Sequence, residues 1–344
     1  MKRWIGILIF AGLLTGCMEA GGKRTFDSQY FDYFDTFTSF TVCAEDEEQF
    51  QEYEELFQSE LKRYHQLFDI YESYSGINNI KTINENAGAA PVQVEDEIIE
   101  LLEFAGKEYE KTDGKVNVAM GSVLSVWHGY RQKGVESPTD ARLPDRQELE
   151  KAAGHTDMEK VVIDRQKGTV YLSDPDMSLD VGAVAKGFAS QKICDKLKAA
   201  GVTSALINIG GNVQTIGGKE NKKPWRVGIQ NPELSGAQPY LHALNLQDMA
   251  LVTSGTYQRY YEVDGARYHH IIDPETLMPS RGYESVTVLC PDAGMADALS
   301  TALFNMSFEE GQKMINSMAG TEAFWVFEDG SQAYSSGFES YVEE

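Results

Sequence analysis

Three segments of this chain bring together side chains suited to phosphate and hard cations. Asp180-Val181-Gly182-Ala183-Val184-Ala185-Lys186-Gly187 carries a carboxylate, an ammonium and two glycines. His270-Ile271-Ile272-Asp273-Pro274 carries an imidazole, and Asp297-Ala298-Leu299-Ser300-Thr301 a carboxylate and two hydroxyls. Together they make a kit for handling a diphosphate with a hard metal ion. Val181-Gly182-Ala183 reads as a tight turn opening a helix, whose free N–H groups attract phosphate, with Lys186 in its first turn. Asp297 and Thr301 lie four apart in a predicted helix and project from one face, as oxygen donors suited to Mg²⁺. His270 has the titration range of a general base.

Taken singly, each segment has a plainer reading. Asp180 serves equally well as a helix N-cap and Lys186 as a solvated lysine. A lone histidine is more often a structural hydrogen-bonder, and an Asp–Thr pair at this spacing arises on many helices by chance. Gly210-Gly211 after the strand Ser204–Ile209 allows close backbone approach to a ligand, and makes a tight turn just as readily. The hydroxyls of Thr253-Ser254-Gly255-Thr256-Tyr257 suit phosphate oxygens or a helix cap.

The elements that must position these groups are mixed. Phe31–Val42 alternates and is rich in Phe and Thr, so it reads as a strand. Asp46–Tyr71 reads as a long amphipathic helix, with Phe50, Tyr53, Phe57, Leu61, Tyr64, Phe68 and Tyr71 as a core stripe and not a cofactor groove. Glu95–Thr112 is a second helix ended by Asp113-Gly114. Ala183–Ala200 is a third, stopped by Gly201. Met249–Thr253, Ser285–Cys290 and Glu322–Phe327 read as strands; Ala293–Met306 and Phe308–Ala319 read as helices. Asn84–Ala90 and the proline-bearing stretch 136–146 read as loops. With no regular βαβ repeat, the expected class is α+β.

The N-terminus reads as a targeting segment: Lys2 and Arg3, an apolar run Trp4–Leu14, then Leu14-Thr15-Gly16-Cys17. The run falls short of the roughly 20 apolar residues a spanning helix needs. The last four residues resemble a bacterial lipoprotein box, which makes Cys17 a lipidated N-terminus on the extracytoplasmic face of a bacterial membrane. The expected division is a signal peptide over 1–16, a lipidated tether over 17–28 and one domain over 29–344. Cys43, Cys194 and Cys290 show no zinc-ligand spacing and permit at most one disulfide. Thirty basic against 53 acidic residues give a formal charge of −23, which argues against nucleic-acid binding. It also requires that any diphosphate site carry local cations.

In order, these blocks resemble the ApbE family of flavin transferases. The match takes in Asp180–Gly187, Asn208–Gly211, Thr253–Tyr257, His270–Pro274 and Asp297–Thr301. It extends to Thr112-Asp113-Gly114 with Asn117–Trp127, and to Asp35-Thr36. The resemblance implies a T-fold-like α+β architecture with mixed or antiparallel sheets and packed helices. It implies Mg²⁺-dependent transfer of the FMN half of FAD to a Ser or Thr hydroxyl of an exported or membrane-bound flavoprotein, releasing AMP. By residue it implies the Ala183 carbonyl, Asp297 and Thr301 as Mg²⁺ ligands, Asp180 and Lys186 as FAD contacts, and His270 as base. Ile272 lies in a block expected to touch FAD, and the turn Gly121-Ser122-Val123 resembles a segment against the flavin or adenine part. The chain departs from the family pattern at Asn212, where Asp is common, and at Leu277, where Gly is common. FAD hydrolysis to FMN and AMP, or FAD binding by a lipoprotein without turnover, are the alternatives.

Overall fold

The computed structural model describes residues 22–219, 221–233 and 238–343. Cys17 and the rest of the leader lie outside them. The strands are β1 (Arg24–Tyr33), β2 (Thr36–Ala44), β3 (Val92–Gln93), β4 (Val161–Asp164), β5 (Thr169–Leu172), β6 (Ala205–Ile209), β7 (Asn212–Ile216), β8 (Trp225–Gln230), β9 (Tyr240–Leu246), β10 (Ala250–Gly255), β11 (Tyr260–Val263), β12 (Ala266–His269), β13 (Tyr283–Cys290), β14 (Glu322–Phe327) and β15 (Gln332–Tyr334). The helices are α1 (Glu47–Phe68), α2 (Ile80–Glu85), α3 (Asp96–Lys111), α4 (Gly121–Glu136), α5 (Arg146–Ala153), α6 (Ala185–Ala199), α7 (Ala293–Phe304) and α8 (Phe308–Asn316).

An eight-stranded sheet in the order β1-β2-β6-β7-β10-β13-β14-β15 is antiparallel at every pairing. Helices α1, α6 and α7 pack on one face. The β8–β9 ribbon covers part of the other, where Val227, Ile229, Leu244 and Leu246 meet Leu251, Leu289, Phe324 and Val326. Strand β13 shows the alternation that such a layered sheet demands: Val286, Val288 and Cys290 face α7, and Leu289 faces the ribbon. The fold is therefore α+β, as expected. Two small sheets, β3-β5-β4 and β11-β12, complete it. No described helix is long and apolar enough to cross a membrane.

Helix α1 forms because Asp46 caps it, accepting from the Gln49 N–H at 2.9 Å, and because its apolar stripe is buried. Phe50, Tyr53, Phe57, Leu61, Tyr64 and Phe68 of that stripe are in the core. Tyr71 is not, and this corrects the sequence reading. The helix ends at Phe68 because Asp69 turns extended and its carboxylate accepts from the Tyr71 and Glu72 N–H groups and the Tyr74 hydroxyl. Tyr71 is left 53% exposed, on the wall of a cleft.

Other boundaries differ as well. Phe31–Val42 is not one strand: Phe34 and Asp35 have φ of 53° and 50°, and reverse the chain between β1 and β2. Strand β1 opens at Arg24, so 24–28, expected in the tether, belong to the sheet. Helix α6 starts at Ala185, leaving Gly182 and Ala183 in the turn before it. Cys43, Cys194 and Cys290 are buried free thiols.

Candidate functional site

A cleft of about 660 Å³ is bounded by the β1–β2 turn, one face of α4, the turn before α6, the β6–β7 turn, the end of β10, the segment after β12, and α7. Its size falls within the roughly 300–1,000 Å³ of small-molecule sites. Asp180, Ala183, Lys186, His270, Ile272, Asp297 and Thr301 all line it. Residues spread over more than a hundred positions thus converge on one cavity.

The convergence has a local cause at Gly187. A Cβ there would stand 2.2 Å from the Ala293 carbonyl oxygen and 2.4 Å from Asp297 Cβ. Only glycine lets α6 and α7 cross this closely. The contact also satisfies a first-turn donor of α6: the Gly187 N–H donates to Asp297 Oδ2 at 2.8 Å. Asp297 thus sits at the positive end of one helix while being carried by another. Burial outweighs the helix end, Lys186 and the Asn212 amide, so its carboxyl titrates above the usual range. Asp180 is likewise raised by burial, although its Oδ1 accepts from the Gly182 N–H at 2.9 Å.

The oxygen donors suit a hard cation. Asp297 and Thr301 lie one turn apart on α7 and face the same cavity as Ala183. Asn212, 2% exposed at the start of β7, directs its amide to Asp297 while its Oδ1 is buried without a hydrogen-bond partner. A buried, unpaired oxygen acceptor beside a carboxylate is a donor set that fits a hard cation. Ala183, Asp297 and Thr301 would hold such an ion, with Asn212 beside them. A second group, His155, Asp174 and Asp176, lies off the cleft. There the Lys160 ammonium, 2.9 Å from Asp174 Oδ2, already neutralises the carboxylate, and the His155 ring lies within hydrogen-bond distance of it, holding its pKa well down.

The two adjacent histidines divide structure from chemistry. His269 is buried, with Nε2 donating to the Ser280 carbonyl at 2.8 Å and Nδ1 accepting from the Ile271 N–H. His270 faces the cleft, and its Nδ1 lies 3.3 Å from the Arg259 carbonyl. A proton on Nδ1 directed at that carbonyl leaves Nε2 with a free lone pair. Burial, then Arg259, Arg131, His269 and Lys186, depress its pKa to about 3, so the ring is neutral at physiological pH.

The segment 121–123 is the first turn of α4 and not an isolated turn. Gly121 packs on Ser178, the Ser122 hydroxyl donates to the Ala152 carbonyl at 2.9 Å, and Val123 is core. The cleft wall here is formed instead by Met120, Leu124, Trp127, His128 and Arg131. Gly210 and Gly211, with φ of 59° and 93°, make the β6–β7 turn, and a Cβ on Gly210 would strike Thr36. Of the hydroxyls at the end of β10, Thr253 bonds Thr287 of β13 and Ser254 bonds Ser300 of α7, each at 2.8 Å, so they tie β10 to its neighbours and cap no helix. The groups missed in the sequence are Tyr71, His128, Arg131 and Arg259; Asn212 figures there as a departure from the family pattern. The charge of −23 called for cations at such a site, but no motif marked which arginines supply them.

The ApbE family profile matches residues 34–325. The FAD:protein FMN transferase of Treponema pallidum is 35% identical over 273 residues, covering 75% of this chain and 73% of that one. That of Klebsiella pneumoniae is 32% identical over 271 residues, covering 77% and 79%. The crystal structure of the ApbE protein from Thermotoga maritima superposes with a TM-score of 0.81 at 30% identity, covering 93% of this chain and all of that one.

Proposed function

The chain belongs to the ApbE family, and from that premise we infer that it is an FAD:protein FMN transferase, which flavinylates acceptor proteins. The observation that carries the reading to this chain is the single cleft that gathers the oxygen donors Asp297 and Thr301, the ammonium of Lys186 and the free imidazole edge of His270. The finer reading is Mg²⁺-dependent transfer of FMN to a Ser or Thr hydroxyl of an exported or membrane-bound flavoprotein, with AMP released.

The chain's own residues have separable tasks in that reading. The acceptor oxygen bonds to the FMN phosphorus as the bridging P–O bond to AMP breaks. The bonding pair of that bond leaves with AMP. His270 Nε2 takes the hydroxyl proton, because its Nδ1 is engaged by the Arg259 carbonyl and Nε2 carries the free lone pair. Lys186, in the first turn of α6, holds phosphate oxygens in place, so that the acceptor is aligned for displacement. Mg²⁺, held by the Ala183 carbonyl, Asp297 and Thr301, would supply positive charge against the diphosphate.

The test incubates detergent-solubilised full chain with FAD, Mg²⁺ and a candidate acceptor domain, following AMP and acceptor mass together. An acceptor heavier by one FMN with matching AMP supports transfer. AMP and free FMN without labelling, across several acceptors, replaces it with hydrolysis. The His270→Ala variant is expected to keep FAD binding and lose transfer by at least about a hundredfold; unimpaired transfer removes His270 from the mechanism. The leader supports anchoring through a lipid on Cys17 at the extracytoplasmic face. An unmodified mature N-terminus, found by mass spectrometry, refutes the anchor without touching the chemistry.

A further inference from the structure

The cleft holds two guanidinium groups that the tasks above leave unused. Arg131 projects from α4 and Arg259 from the segment between β10 and β11, and both line the cavity. Among the described residues neither makes an ion pair. Burial together with the charge of Arg259 lowers the pKa of Arg131. Asp180 acts favourably on both arginines, but from beyond ion-pair distance. The near neighbours of Arg131 are uncharged: its Nη2 lies 3.0 Å from His128 Nδ1, and the Tyr71 hydroxyl lies 3.4 Å from the same nitrogen. The His128 ring is held neutral by burial and by Arg131, so its Nδ1 accepts from the guanidinium.

Arg131 is half-buried and Arg259 exposed on the cleft lining, and with no carboxylate in contact they leave this end of the cleft with positive charge that an anion would complete. The protein carries a large acidic excess elsewhere, so exposed carboxylates were available as partners. The fork of a guanidinium is suited to two oxygens of one phosphate, and His128 with Tyr71 fixes the orientation of one such fork. We propose that Arg131 and Arg259 form a phosphate-recognition subsite for the flavin dinucleotide, separate from the Lys186–Asp297 end of the cleft. It brackets the diphosphate from a second side, and meets the negative charge that grows on the departing phosphate as the bridging bond breaks.

This rests on the reading of the cleft as an FAD site, and the experiment separates the two. Binding of AMP, FMN, adenosine and riboflavin to the full chain is measured by calorimetry at low salt, for the wild type, Arg131→Gln, Arg259→Gln, the double variant and Arg131→Lys. Melting curves confirm that each is folded. The expected result is about a tenfold or greater loss of affinity per arginine for at least one phosphorylated half, with its unphosphorylated counterpart unchanged. Arg131→Lys should recover part of the loss. A loss confined to AMP places the subsite on the leaving phosphate, and one confined to FMN places it on the transferred phosphate. Unchanged affinities in a folded double variant, equal losses for the unphosphorylated halves, or no binding of either half by the wild type each overturn the proposal. If the wild type labels an acceptor in any of those cases, only the arginine assignment falls. If it labels none while AMP binding depends on the arginines, the transferase reading falls instead.

Discussion

Gly187→Ala is the substitution that bears most directly on how the site is built. The added methyl group would sit 2.2 Å from a backbone oxygen of α7 and 2.4 Å from Asp297 Cβ, neither of which is the end of a flexible side chain. Relief requires α6 and α7 to separate. Overpacking of this kind costs about 1–3 kcal/mol. Separation also lengthens the 2.8 Å bond from the Gly187 N–H to Asp297, a charge-assisted bond worth roughly 1.5–3 kcal/mol. Alanine returns up to about 1 kcal/mol of helix propensity. The net expectation is a loss of about 2–4 kcal/mol. At about 2–4 °C per kcal/mol, this lowers the melting temperature by roughly 4–16 °C. Flavin transfer should fall by more than the loss of folded protein, because Asp297 and Lys186 move with the helices. Calorimetric melts paired with acceptor labelling at a temperature where both forms are folded provide the assay. A variant as stable as wild type, or less stable but fully active per folded molecule, refutes the claim that this crossing positions the carboxylate.

Asp297→Asn preserves an acceptor for the Gly187 N–H but removes a carboxylate whose ionised form burial disfavours; its folded pKa lies above the unfolded one, so the charge destabilises at neutral pH. The variant should melt no lower than wild type while losing divalent-dependent transfer, and activity retained at low Mg²⁺ would discard the metal assignment. His270, with a folded pKa of about 3, binds fewer protons folded than unfolded between that value and about 6.5, so its contribution to stability falls as pH drops through this window. His270→Gln should therefore lose less melting temperature than wild type between pH 7 and pH 4, and parallel profiles would contradict the depressed pKa. Cys194 and Cys290 are buried, and burial raises both thiol pKa values, that of Cys290 to about 11. Both should resist alkylation in the native protein and react on unfolding; rapid native labelling would show that α6 or β13 opens.

The sequence made the site's cores legible where chemistry and periodicity coincide. Asp180 to Lys186 straddles a turn and a helix start, and Asp297 and Thr301 keep a four-residue spacing that the structure realises on α7. It failed where one pattern served two purposes. Tyr71 keeps the spacing of the α1 stripe, but the Asp69 turn ends the helix and moves the ring to the cleft. Helix α4 went unread because its inner face is apolar while its cleft face ends in His128 and Arg131, which blurs the period. Arg131 and Arg259 have no local signature at all, since their role is set by neighbours brought together through tertiary contact. Phe31–Val42 hid a reversal because Phe34, at φ 53°, is a bulky residue that seldom announces positive φ, and Asp35 beside it is a weak turn signal inside an alternating run.

The pairing of β2 with β6 sets Thr38 against Ile209, and β10 joins β7 only after Ala250. Contacts between such distant parts of the chain form late and slowly, since each must close a long loop before it gains anything. The cleft wall at Thr36 and Gly210 therefore does not exist in a nascent chain until most of it has emerged, and Asp297 arrives later still. A chain cut short before α7 lacks Asp297 and Thr301, and with them the oxygen donors at that end of the cleft. Ligand occupancy is thus a sensor of completed folding, and a dinucleotide that binds the finished protein shifts the folding equilibrium toward it by mass action.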